Sequence, residues 1–86
     1  MLRFINPSSS YDEAGKSVRF WGHDGAFEIP FSITHEALNR VRPVAAGDEA
    51  GCLAVFGTNR ARIYDAATRV YARGRRGSYV VEASEF

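Results

Sequence analysis

The chain has a single cysteine, a single tryptophan, three prolines and almost no excess of either charge. Cys52 cannot close an internal disulfide, and among apolar neighbours it reads as a small buried hydrophobe rather than a reactive thiol. Neither Cys-x-x-Cys nor His-x-x-x-His occurs, so the ligand spacings of a zinc site are missing and no cofactor is implied. No apolar run approaches the roughly 18–20 residues that span a bilayer, so no membrane role is expected. The opening Met1–Pro7 carries no signal-peptide core, and a reducing cytoplasm is the expected setting. The formal charge of +1 gives no whole-molecule pull toward nucleic acid or lipid, so any electrostatic function must come from local clustering.

What is present is a globular composition, 45% apolar and 24% charged over 86 residues, enough for one domain spanning 1–86. Leu2–Ile5 reads as a short edge strand or ordered arm, Ser8–Ser10 as a loop, and Tyr11–Lys16 as a turn or single helical turn ended by Gly15. Val18–His23 and Ala26–Ile33 carry the clearest strand signal, with Asp24-Gly25 as the hairpin turn. Alternation places Val18, Phe20, Gly22, Phe27, Ile29, Phe31 and Ile33 on a buried face, and Arg19, Trp21, His23, Glu28, Pro30 and Ser32 on a wet one. A two-residue loop opposes Trp21 to Glu28, a four-residue loop opposes Arg19 to Glu28, and both preserve the faces. Pro30 lacks an N–H, which demotes its strand toward an edge or implies a bulge.

Thr34 is a good N-cap for a short helix over His35–Val41, which Pro43 stops. From Asp48, itself a cap, to Arg73 runs a long amphipathic stretch in which Leu53, Phe56, Ile63, Ala67, Val70 and Tyr71 recur at helical spacing. Gly57-Thr58 is its weak point, and Thr58 could cap a fresh helix beginning at Asn59, but the apolar stripe stays in phase from Phe56 through Ile63, which favours one helix, bent if anything. Gly74 suits a left-handed stop, and Ser78–Ala83 reads as a last strand with Tyr79 and Val81 opposite Val80 and Glu82. The expected fold class is therefore α+β. A small antiparallel sheet, made of the hairpin, the last strand and a short N-terminal strand, packs on one short and one long helix.

Val18-Arg19-Phe20-Trp21-Gly22-His23-Asp24-Gly25, the Thr34-His35-Glu36-Ala37-Leu38 helix start, and Phe56-Gly57-Thr58-Asn59-Arg60-Ala61-Arg62-Ile63 followed by Ala66-Ala67 and Tyr71 occur in that order. With these segments the chain resembles, from Leu2 to Phe86, an uncharacterised bacterial family, domain of unknown function 1488. The resemblance implies a compact α+β fold in a bacterial cytoplasm. It supplies no activity and no site residues.

The sharpest cluster is cationic: six arginines against the single acid Asp65 between Arg60 and Arg76. Arg62, Arg69 and Arg73 share a helix face roughly opposite Ile63 and Ala67, and Arg75 and Arg76 follow just past the helix end. Such a row is either a solvated face, favoured near a helix C-terminus, or a fork-by-fork reader of an acidic protein or a nucleic-acid backbone. Arg60 lies on the rim of the apolar stripe, where a buried-rim ion pair with Glu28, Glu82 or Glu85 is expected. Trp21 with Arg19 beside it is the type of anchor that interfaces favour, unless the N-terminal arm covers it. His23, His35 and Cys52 fall on separate elements with no carboxylate pair at a useful spacing, so no enzyme is expected. The reading that follows is a non-enzymatic binding module, for a protein partner or for itself. A nucleic-acid accessory using the arginine row is the alternative, and a minor enzyme is the third.

Overall fold

The computed structural model describes residues 1–43, 49–74 and 77–86. Five strands, three α-helices and a terminal 3₁₀ turn follow one another as β1 (Leu2–Arg3), β2 (Ser9–Asp12), β3 (Ser17–Asp24), β4 (Phe27–Thr34), α1 (His35–Val41), α2 (Glu49–Thr58), α3 (Arg60–Ala72), β5 (Tyr79–Val81) and Ala83–Glu85. The class is α+β, with a sheet ordered β1-β3-β4-β5 and with β2 also on β3. The strand β5 runs parallel to β4, pairing Phe31 with Tyr79 and Ile33 with Val81, so the sheet is mixed rather than antiparallel throughout.

The hairpin keeps the expected faces but neither expected register. His23 opposes Glu28 and Asp24 opposes Phe27, so the loop is Gly25-Ala26, one residue later than Asp24-Gly25. Gly25 takes φ +62°, a conformation that disfavours any side chain, and it therefore sets where the chain reverses. Val18, Phe20, Phe31 and Ile33 are buried as the alternation requires, whereas Phe27 is 74% exposed because it sits beside the hairpin tip, past the helical layer. Pro30 lies just before the stretch of β4 that β5 covers, so its missing N–H falls on a locally uncovered edge and no bulge interrupts its pairing with Trp21.

The serine loop is a strand. Ser9–Asp12 pairs antiparallel with Ser17–Phe20, and Tyr11, opposite Val18, packs against the core. The tight turn that follows is fastened by Asp12, whose Oδ1 accepts from the Gly15 backbone N at 3.2 Å, and the left-handed residue is Lys16 at φ +49° rather than Gly15. The Lys16 carbonyl accepts from the His35 backbone N at 3.0 Å, tying this turn to the start of α1. There Thr34 caps as expected, its Oγ1 accepting from the Ala37 backbone N at 3.1 Å.

The long stretch is two helices, not one, and the break comes at Asn59 rather than Gly57. Asn59 Nδ2 donates to the Val55 carbonyl at 2.9 Å, the acceptor that its own backbone N–H would use in an unbroken helix. That N–H turns instead to the Phe56 carbonyl at 3.2 Å, and the residue sits at φ −125°. Thr58 Oγ1 takes the Ala54 carbonyl at 3.0 Å in the same turn. Of the predicted stripe, Phe56, Ile63, Ala67 and Val70 are buried and Leu53 and Tyr71 partly so, and Cys52, Val55 and Ala66 are buried with them. The cap proposed for Asp48 lies outside the described residues.

At the centre of the sheet Gly22 makes room for aromatics. A Cβ there would stand 2.9 Å from Phe31 Cε2, 3.0 Å from Leu2 Cδ1 and 3.1 Å from Phe4 Cε1. Phe4 uses that space to stack on Tyr64, with ring centroids 4.1 Å apart and planes 3° from parallel, and to approach Phe20 and Phe31 at 6.2 and 5.7 Å. Overpacking this point is expected to cost about 1–3 kcal/mol. Gly57 faces open space inside α2, where a methyl group is expected to stabilise by about 0.5–1 kcal/mol. Urea unfolding of Gly22→Ala and Gly57→Ala should therefore shift the midpoint in opposite directions. A Gly22→Ala midpoint at or above wild type would refute this account of the aromatic packing.

Candidate interaction surfaces

The buried residues of the sheet, Val18, Phe20, Phe31, Ile33, Tyr79 and Val81, join α1, α2 and α3 in one core cluster, so the described helices cover a single sheet face. The side chains that alternate with them point the other way. Arg19, Trp21 and His23 project from β3, and Glu28, Pro30 and Ser32 project from β4 opposite them. Arg3 belongs to the same face because it pairs with His23, and Val80 because it pairs with Ser32. Leu2 and Phe4 approach the buried side of Gly22, which leaves Ile5, 70% exposed, on the open side.

This open face mixes apolar and charged groups: Trp21 pairs with Pro30, Arg19 lies in the row Ser10–Arg19–Ser32–Val80, and Arg3 pairs with His23 toward the hairpin tip. Trp21 is half-buried; β1 and β2 pair along β3, and Asn6 between them reaches Glu28 on β4. Ile5 and Val80 are exposed, and Met1, Arg3, Ile5, His23 and Gly25 outline a hollow of about 350 Å³. Arg3 and Arg19 are exposed and, among the described residues, form no ion pair. Glu28 is engaged: its Oε2 lies 3.4 Å from His23 Nε2 and accepts from Asn6 Nδ2 at 3.4 Å. His23 thus stands beside a carboxylate, a proximity the sequence does not reveal because the hairpin register alone creates it. His35 lies at the start of α1, Cys52 is fully buried in α2, and no metal-binding group of three or more His, Cys, Asp or Glu forms among the described residues.

The arginine row occupies the flank of α3 rather than its outer crest. At about 100° per residue, Arg62, Arg69 and Arg73 fall together about a quarter turn from the buried line through Ile63, Ala66 and Val70. The crest carries Ala61, Asp65, Thr68 and Ala72, all exposed. From the flank the guanidinium groups reach the end of the chain. Arg73 grips Glu85 with both Nη atoms, its Nη2 donating to Oε1 at 3.0 Å, and Arg69 Nη2 donates to the Glu85 carbonyl at 2.8 Å. Arg62 stands over the Phe86 ring at 5.6 Å and donates from Nη1 to the Val41 carbonyl at 3.3 Å. Arg75 and Arg76, the other two members of the predicted cluster, lie outside the described residues.

Arg60 packs as a rim residue but without the expected carboxylate. Its guanidinium lies 4.8 Å from the Phe56 ring centroid, and Nη1 donates to Tyr64 Oη at 2.8 Å. Glu85, one of its predicted partners, is taken by Arg73 and Arg69. A separate cleft of about 530 Å³ opens at the hairpin tip, lined by Asp24, Phe27, Ile29, Pro30, Tyr71 and Tyr79 among others. Tyr71 Oη donates to Asp24 Oδ2 there at 2.5 Å, and the N-terminal ammonium meets Oδ1 at 3.0 Å.

The grip on Glu85 has a defined pH signature. Hydrogen bonding and charge from Arg73, with a smaller share from Arg69, hold the Glu85 carboxyl below its ordinary value against the opposing effect of burial. A carboxyl lowered by folding stabilises above its unfolded value, and this contribution fades as pH falls through the folded one. The gap in urea midpoint between wild type and Glu85→Gln should thus be widest at neutral pH and close in acid. A gap independent of pH would show that the carboxylate charge is not what holds the turn.

No curated protein and no solved structure matches the chain. A family model does, over residues 2–82, nearly the whole length. Its description, Protein of unknown function (DUF1488), agrees with the resemblance carried by the Phe-Trp-Gly hairpin and the Asn-Arg helix start. The chain belongs to that family.

Proposed function

We propose that this chain is a non-enzymatic interaction module that docks a partner protein through the open face of its sheet. The observation that carries the reading is the placement of Trp21, Ile5, Pro30 and Val80 together on the face that the described helices leave uncovered. An amphipathic aromatic on an exposed face that also carries aliphatic groups is the kind of anchor in which binding surfaces concentrate their affinity. The partner is specified by charge. Arg3 and Arg19 form no ion pair among the described residues while Glu28 is engaged, so the complementary surface carries carboxylates beside apolar groups. The His23–Glu28 pair is read as a part of this surface, since both residues belong to its outward alternation, with His23 also on the smaller hollow and Glu28 on the hairpin-tip cleft.

Trp21 is the sole tryptophan, so its emission reports on this face without interference. A photo-crosslinking residue at Ile5 or Val80, expressed in the host cell, should yield a discrete protein adduct that the same residue at Ala61 on the helix crest does not. The adduct partner, once purified, should shift Trp21 emission, and Arg19→Glu should weaken its binding about tenfold or more. Identical adducts from both sides, no adduct, or a homodimer alone would overturn the reading; the last would assign the face to self-association.

A further inference from the structure

The arginine flank carries more positive charge than its resident acid satisfies. Arg62, Arg69 and Arg73 form a belt along α3 that meets the end of α1 where Arg62 reaches the Val41 carbonyl, with Arg40 and Arg42 flanking that residue in sequence. Glu85 is the sole carboxylate in ion-pair contact with the belt among the described residues, and it engages only Arg69 and Arg73. Arg40 and Arg42 are exposed and form no ion pair among those residues. What already sits on the belt is informative. A carboxylate is held by a two-pronged guanidinium, a backbone carbonyl by Arg69, and a phenyl ring by Arg62 one residue further on. Those are the contacts of a short acidic and aromatic peptide.

We propose that this flank is a binding groove for an acidic segment of a partner protein that carries an aromatic residue, and that Glu85 and Phe86 occupy it in the unbound chain. The site is independent of the sheet face. A peptide fits it better than a nucleic-acid strand, because Asp65 stands within one helical turn of Arg62 and Arg69, where a continuous phosphate backbone would pass. The resident segment is held by few groups: Ala83–Glu85 is a single 3₁₀ turn, Glu85 is the one charged anchor, and Phe86 is only partly buried. A tethered occupant competes at a high effective concentration, so it weakens an incoming segment without closing the site to it.

The test uses the full chain and a fluorescein-labelled peptide of three Ala-Ser-Glu-Phe repeats, followed by anisotropy. The double substitution Glu85→Gln, Phe86→Ala should tighten binding of the peptide about tenfold or more, and adding Arg62→Ala and Arg73→Ala should abolish the gain. Circular dichroism checks each variant. If the double variant unfolds, Glu85→Gln alone keeps the aromatic contact and should still tighten binding several-fold. Equal affinity with and without the resident groups would overturn the proposal, as would a gain that survives loss of Arg62 and Arg73. Preference for a labelled single-stranded DNA of equal length, with steep loss on added salt, would also overturn it and assign the belt to nucleic acid.

Discussion

The structure depends on one missing atom. Without a Cβ at Gly22, the centre of β3 is thin enough for Phe31, Leu2 and Phe4 to converge there, each within about van der Waals reach of the same point. Phe4 then bridges sheet and helix by stacking on Tyr64, while Phe20 stacks on Phe31 at 5.3 Å and tilts against Phe56 at 5.1 Å. The aromatic slab so formed binds the N-terminal arm, the hairpin and both long helices to each other. It also decides where the arm runs. With Leu2 and Phe4 drawn to the buried side, Arg3 and Ile5 point to the other side, beside His23. The open sheet face is therefore a by-product of how the core is filled.

Much of this was legible in residue order. Alternation in the hairpin identified both faces, Thr34 and Pro43 bounded α1, and the apolar stripe of the long stretch survived as the buried side of two helices. What escaped was whatever depends on competition between hydrogen bonds or on distant partners. The in-phase stripe favours one helix over a fresh start at Asn59, yet the chain breaks there, because the Asn59 amide takes a carbonyl that the helix needs. Asp24-Gly25 drew the turn one residue early, since the residue whose backbone must be left-handed is Gly25, and it opens the loop rather than closing it. Ser9–Asp12 has the composition of a loop and becomes a strand because β3 offers it an edge and Val18 a neighbour for Tyr11.

The arginines show the same limit for the candidate surfaces. Helical spacing grouped Arg62, Arg69 and Arg73 correctly but placed them roughly opposite the core, toward solvent. The buried line of α3 is broader than the spacing of Ile63 and Ala67 suggests, since Ala66 and Val70 extend it toward the arginines. Those two small or compact side chains turn the row into a flank, within reach of whatever packs beside α3. No local pattern specifies that neighbour.

The direction of β5 supplies it. Because β5 runs parallel to β4, beginning beside Phe31 and leaving beside Ile33, the chain exits the sheet at the Thr34 end, where α1 starts. The 3₁₀ turn that follows packs on α1, and Glu85 arrives under Arg69 and Arg73. An antiparallel last strand, the sequence-based expectation, would leave at the hairpin tip beside Phe27, and the guanidinium groups would face solvent with no carboxylate between them. Strand polarity, a property set by the crossover through three helices rather than by any residue of the strand, thus decides whether the arginine belt is bare or occupied. It also separates the two surfaces in kind: the sheet face is open and carries Trp21, whereas the belt is charged and partly occupied by what the fold itself has laid there.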